Sequence, residues 1–77
     1  MDEKIIKAME IAFDKDLSGA KLKDCLPGKI EGWDSISFLN LLVLLEGEFS
    51  ISIPLEDIEE LSLGGLGMKA VIERALE

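Results

Sequence analysis

The chain has no histidine and no tyrosine, and it has one cysteine, one tryptophan and two prolines. Without histidine it lacks the usual general base near neutral pH and the commonest metal ligand. Ser–His and Cys–His nucleophilic sites are excluded, and so are histidine-containing zinc sites. Cys25 stands alone and cannot close an internal disulfide. A small domain without that staple is expected in a reducing compartment, the cytoplasm. The longest apolar run, residues 41–45, is far too short to span a bilayer. Charged residues follow Met1 where a signal peptide would carry its apolar region. Stable membrane insertion is therefore not expected.

Positive charge is also scarce. Eight basic residues face sixteen acidic ones, for a net charge of -8 at pH 7. Such a surface repels the phosphates of nucleic acids and anionic membranes, and it favours basic partner proteins. The same acidity also serves plain solubility.

What remains is an apolar-rich chain of 77 residues, 48% of them hydrophobic. That length indicates one domain spanning residues 1–77 with one small core. The pattern predicts an all-α fold, a small four-helix bundle with a long first loop and a short third helix. Ile5, Ile6, Met9, Ala12 and Phe13 recur at helical spacing and predict a first helix over residues 2 to about 14. Gly19, Pro27, Gly28 and Gly32 then break the chain into a long connection, with Leu22, Leu26 and Ile30 to pin it to the core. A second helix is expected from Ser35 to about Glu48, with Asp34 as its N-cap. Pro54 suits the first turn of a third helix over about residues 54–61, with Glu56 and Asp57 at its positive end. Gly64, Gly65 and Gly67 interrupt the chain, as a tight turn and cap or as a loose joint. A fourth helix over about 67–76 would bury Met68, Val71, Ile72 and Leu76.

The second helix has two apolar faces. At about 100° per residue, Leu41, Leu42, Leu45 and Phe49 group with Phe38 on the core side. Ile36, Asn40, Val43 and Gly47 share roughly the opposite side, where a surface helix is ordinarily charged. Ile36 and Val43 are expected to form an exposed docking strip. Leu39 and Leu44 are expected to rest against neighbouring elements.

Ser35 follows Gly32, Trp33 and Asp34 and opens this helix. A phosphate ester on its hydroxyl would meet free N–H groups and the positive end of the helix dipole. No base is available to make Ser35 a self-activated nucleophile. Asp-Ser ahead of an apolar run is also an ordinary helix start, so capping alone accounts for the pair locally.

The segment from Gly32 to Pro54 reads Gly-Trp-Asp-Ser-Ile, then Ser-Phe-Leu-Asn-Leu-Leu-Val-Leu-Leu-Glu-Gly-Glu-Phe, then Ser-Ile-Ser-Ile-Pro. It resembles the acyl carrier protein family, with its Asp-Ser-Leu attachment signature, its apolar second helix ending in Leu-Glu-x-x-Phe and its closing Ile-Pro. The resemblance implies that the protein performs no catalysis itself. Ser35 would receive 4′-phosphopantetheine from coenzyme A through a separate phosphopantetheinyl transferase using magnesium, with Asp34 helping to position that enzyme or its metal ion. The thiol of the arm would hold acyl groups as thioesters for loading and processing enzymes. Partner docking would fall to Asp34, Ile36, Asn40, Val43, Glu46, Ile53, Glu56 and Asp57. Phe38, Leu41, Leu42, Leu45, Phe49, Met68, Val71 and Ile72 would line an acyl cleft, although ordinary core packing explains each of them too.

Two features depart from that pattern. Ser37 and Asn40 stand where carriers of central fatty-acid synthesis often have acidic residues, and Trp33 resembles stand-alone carriers of specialised pathways. An aminoacyl or peptidyl carrier on the same fold is equally compatible. A helical adaptor that docks without any arm is a separate reading. Glu46, Glu48, Glu56 and Asp57 have the spacing of a solvated acidic face rather than of an acid–base or metal cluster. Cys25 reads as a low-polarity anchor in the loop, or as a reactive thiol. When reduced, the chain is expected to be a monomer.

Overall fold

The computed structural model describes residues 1–77 as a bundle of four helices with no strands. Helix α1 spans Asp2–Phe13, α2 Ser35–Phe49, α3 Ile58–Leu61 and α4 Gly65–Leu76. Single 3₁₀ turns at Leu22–Asp24 and Leu55–Asp57 punctuate the connections. The expected short third helix is thus split. Pro54 stands before the 3₁₀ turn in extended backbone rather than inside a first turn, because a proline ring fits ahead of a helical turn without an N–H to satisfy.

The core contains apolar residues alone. Ile5 and Met9 of α1, Leu41 and Leu45 of α2, Leu61 of α3, and Met68, Val71 and Ile72 of α4 are fully buried. Leu22, Cys25 and Ile30 bring the long loop down onto this centre. Three sequence expectations fail at the margin. Leu26, expected to pin the loop, is exposed; Leu76, expected inside, is exposed at the last residue of α4; and Leu39 faces solvent instead of a neighbour.

Helices α1 and α2 end alike. Each is followed by a non-glycine residue in left-handed conformation, Asp14 (φ 54°) and Ser50 (φ 53°). In each, a glutamate of the last turn reaches forward to brace the departing chain. Glu10 Oε2 accepts the Leu17 N–H at 2.9 Å, and Glu46 Oε2 accepts the Ile53 N–H at 2.8 Å.

The α3–α4 joint is tight rather than loose. Helix α4 begins two residues before the expected start and takes Gly65 and Gly67 into its first turn. A Cβ on Gly65 would strike the Leu22 carbonyl oxygen, and one on Gly67 would strike that of Glu60. The Gly65 N–H donates to the Cys25 carbonyl oxygen at 2.8 Å, which fastens the loop to the start of α4. These glycines therefore permit close backbone packing.

Candidate functional site

The segment leading into α2 is held by aromatic packing. Trp33 stacks on Phe13, with ring centroids 4.9 Å apart and planes 20° from parallel. Phe38 also stacks with Trp33, at 6.3 Å and 15°. Gly32, at φ 91°, lets the chain turn against the Phe13 carbonyl oxygen, where a Cβ would sit only 3.0 Å from it. The end of α1 thereby fixes where α2 starts. Phe38, a candidate for the acyl cleft, is half-buried as part of this stack.

Asp34 is the N-cap. Its Oδ1 accepts the Ser37 N–H at 2.8 Å, and this hydrogen bond holds its carboxyl below the usual aspartate range. The capping role therefore belongs to Asp34 alone. Ser35, the first residue of α2, is exposed, and its hydroxyl has no hydrogen-bond partner within the chain. The Ile36 N–H beside it has no intrahelical acceptor, as befits a first helical turn. The chemistry at this point fits a phosphate ester: a free hydroxyl can carry it at the positive end of the helix dipole, while the Ile36 and Ser37 N–H groups turn to the Asp34 carboxylate.

A broad apolar surface adjoins Ser35. Ile36 is 74% exposed, Val43 68% and Leu39 60%. Asn40 and Gly47 are exposed on the same side. The surface continues onto α1 through an open groove of about 280 Å³ lined by Ile11, Ala12, Asn40, Val43 and Leu44. Leu44 is half-buried there, in contact with its surroundings as expected. The part played by Ile11 was not legible in the sequence. Its position on α1 marks it as off the core, but only the fold sets it beside Val43.

The other docking candidates divide into free and engaged. Glu56 is exposed and makes no ion pair. Glu46 is occupied by the Ile53 N–H, and Ile53 is half-buried. Asp57 accepts from Arg74 Nη2 at 3.0 Å, and the same guanidinium binds Glu60 at 2.8 Å. That contact holds the Glu60 carboxyl below its usual range. Arg74 thus fastens α4 to the chain around α3. Leu55, 84% exposed at the adjoining 3₁₀ turn, is a further exposed aliphatic side chain that was missed as a candidate.

The cleft candidates form the filled centre of the bundle. Leu41, Leu45, Met68, Val71 and Ile72 have no exposed surface, Leu42 has little and Phe49 is half-buried. None of these residues lines any of the four main surface depressions. Cys25 is likewise enclosed, at 2% exposure, with its Sγ 3.4 Å from the Lys21 carbonyl oxygen. Burial, aided by nearby Asp24, pushes its thiol above the usual range. It is an anchor of the loop and not a reactive thiol. No three acidic or thiol side chains converge as a metal site would require, and no helix is long and apolar enough to cross a membrane.

The chain matches no family model, no curated protein and no solved structure. Its functional reading rests on its own residues and geometry.

Proposed function

We propose that the protein is a stand-alone carrier in which Ser35 bears 4′-phosphopantetheine, whose thiol holds acyl intermediates for partner enzymes of a fatty-acid-like, polyketide-like or specialised pathway. The observation that carries this reading is the division of labour at the start of α2. Asp34 supplies the cap, so Ser35 stands exposed with an unengaged hydroxyl. In the attachment step the Ser35 oxygen would form a bond to the phosphorus next to the pantetheine of coenzyme A. The pyrophosphate bond breaks, adenosine 3′,5′-bisphosphate leaves, and the hydroxyl proton passes to a base of the transferase. The transferase supplies the magnesium ion and the catalysis; this chain presents the acceptor.

The apolar surface beside Ser35 supports such a role. Ile36, Leu39 and Val43 offer aliphatic contacts to a partner, and the net charge of -8 would steer basic enzymes to it. Docking of this kind is fast and reversible, as an arm serving several enzymes in turn requires. A flexible arm also raises the effective concentration of its cargo at each docked active site.

The test is intact mass before and after incubation with coenzyme A, magnesium and a broad-specificity phosphopantetheinyl transferase. One phosphopantetheinyl addition is expected on the parent and none on Ser35→Ala. Failure of a folded parent to accept the arm from any of several transferases would sink the carrier reading. Loading assays with acyl and aminoacyl ligases then separate an acyl carrier from an aminoacyl or peptidyl carrier.

A second reading draws on the same apolar surface. Its extension to Ile11 makes it wide enough to serve a helical adaptor with no arm. An adaptor keeps its partner after Ser35→Ala and loses it after Val43→Asp. A carrier loses its function with either change.

A further inference from the structure

We propose that the protein carries a second docking surface, formed by the Leu22–Asp24 turn and the start of α4, and that its occupant is an acidic amphipathic helix of a partner protein. The proposal depends neither on the arm nor on the carrier reading.

The surface is a local reversal of charge. Lys21 and Lys23 are exposed, and neither enters an ion pair. The acids around them are mostly engaged. Asp2 binds Lys69 Nζ at 2.8 Å, and Glu60 binds Arg74 Nη2 at 2.8 Å. Asp24 does not line the surface, and Glu3 is the one lining acid without a partner. Two free ammonium groups therefore stand against one free carboxylate, on a chain whose net charge is -8.

Beside the lysines the surface is apolar. Two shallow hollows, of about 410 and 330 Å³, meet at Lys23 and Leu66. Leu66 is 58% exposed and Leu63 66%. Ile6 and Ala20 add apolar wall to the first hollow, and Leu26 and Ala70 to the second. Single exposed aliphatic side chains are ordinary, but a contiguous group rimmed by charge marks an interaction site. The two halves of the surface are also locked together. The Gly65 N–H donates to the Cys25 carbonyl oxygen at 2.8 Å, and Gly65 lies so close to the Leu22 carbonyl oxygen that no Cβ fits. A partner meets a preformed surface, and little of it has to be ordered on binding.

An acidic helix complements both features. Aliphatic anchors one turn apart enter the two hollows, and carboxylates beside them meet Lys21 and Lys23, whose long stems lie along apolar surface. A basic helix, of the kind that the net charge attracts elsewhere, is repelled by the same two ammonium groups. No residue of α2 lines either hollow, so Ser35 and the apolar strip of α2 stay free when this surface is occupied.

The test is an NMR titration of the ¹⁵N-labelled protein with a peptide of about 20 residues, long enough to be helical in water. The peptide has leucines at i, i+3, i+4 and i+7 and glutamates on either side of them. Saturable amide shifts are expected in residues 20–26 and 63–70. Binding should weaken at least about tenfold when Lys21→Glu and Lys23→Glu are combined, and at least about fivefold in Leu66→Ser. All three residues are exposed, and circular dichroism with a urea midpoint checks that each variant is folded. Ser35→Ala should bind as the parent does, and the peptide with lysine for every glutamate should leave these amides unmoved. No saturable shift with the acidic peptide, shifts confined to α2, or an affinity indifferent to the charge reversal would each overturn the proposal. So would binding to phosphatidylglycerol vesicles in place of the peptide, which would assign the surface to a lipid headgroup layer. A parent that binds the peptide here but accepts no phosphopantetheine fails the carrier reading alone.

Discussion

Leu41 and Leu45 lie without exposure on one side of α2, whereas Ile36 and Val43, equally aliphatic, stand in solvent on the other. Leu, Ile and Val are interchangeable in hydropathy terms, so composition does not decide which face a residue serves. Neighbours decide it. On the inner side, Met9 of α1 and Met68, Val71 and Ile72 of α4 share the buried cluster. On the outer side nothing covers the helix. A solvated face of that kind is costly to keep apolar unless something else uses it. The inner face therefore accounts for the fold, and the outer face, beginning beside Ser35, calls for a function.

Truncation of one face against the other is the strongest way to break the comparison. Leu41→Ala and Leu45→Ala should each destabilise the protein by about 2–5 kcal/mol, since each leaves a cavity in a closed core. Ile36→Ala and Val43→Ala should stay within about 0.5 kcal/mol of the parent. Urea unfolding followed by circular dichroism reads all four. A large loss at Val43 would mean that the outer face is structural and would remove the argument for docking.

The ends of α1 and α2 sharpen the contrast at the next scale. The family resemblance implies a docking role for Glu46; in the structure Glu46 braces the chain after α2 as Glu10 does after α1. Glu46→Ala should cost about 1 kcal/mol, because the half-buried Ile53 N–H loses its acceptor. Glu10→Ala should cost a similar amount, and Glu46→Gln, which keeps an acceptor oxygen, should cost less. Equilibrium unfolding again gives the values. Parity between the two alanine variants would mark both glutamates as braces. A selective loss of partner affinity in Glu46→Gln at unchanged stability would return Glu46 to the docking surface.

How much of this was readable beforehand follows the range of the interactions. The helices were legible because their periodicity is local, and so was the placement of Ser35 at the start of α2, because an Asp-Ser pair opening an apolar helix is a local pattern. The exposure of Ile36 and Val43 followed from the angle they share with Asn40 and Gly47. Leu39 was misplaced because its angle lies between the two faces, where only the position of neighbouring elements decides burial. The Glu46 brace spans seven residues and depends on Ser50 adopting a left-handed conformation that favours glycine. Nothing in Ser50 itself announces that. The roles of Gly65 and Gly67 stayed open between a tight turn and a loose joint for a similar reason. Glycine marks both loose joints and close packing, and the carbonyls of Leu22 and Glu60 that select close packing lie elsewhere in the chain.

A smaller effect is expected at the left-handed residues. Ser50→Gly removes a Cβ from a conformation that costs an ordinary residue about 1–2 kcal/mol, while glycine's extra freedom in the unfolded chain takes back about 0.5–1 kcal/mol. The net gain should be on the order of 0.5 kcal/mol, seen as a slightly higher urea midpoint at unchanged slope. A loss instead would show that the Ser50 side chain contributes to the end of α2 in a way that geometry alone does not reveal.

The smallest effect concerns acid and tests which residue caps α2. Asp34 has its carboxyl held below the ordinary aspartate value of 3.8, first by the hydrogen bond from the Ser37 N–H. A carboxyl depressed in the folded state stabilises it fully above the unfolded value, and that stabilisation is lost as pH falls through the folded one. Asp34→Asn keeps a capping oxygen and removes the titration. The thermal midpoint of the parent should therefore fall faster than that of Asp34→Asn as pH drops below about 4, with the two curves parallel from there to neutrality. Ser35→Ala should follow the parent throughout, because the Ser35 hydroxyl takes no part in the cap. If Ser35→Ala instead lowered the midpoint at every pH, the hydroxyl would be structural. The case for Ser35 as an attachment point would then lose the observation on which it stands.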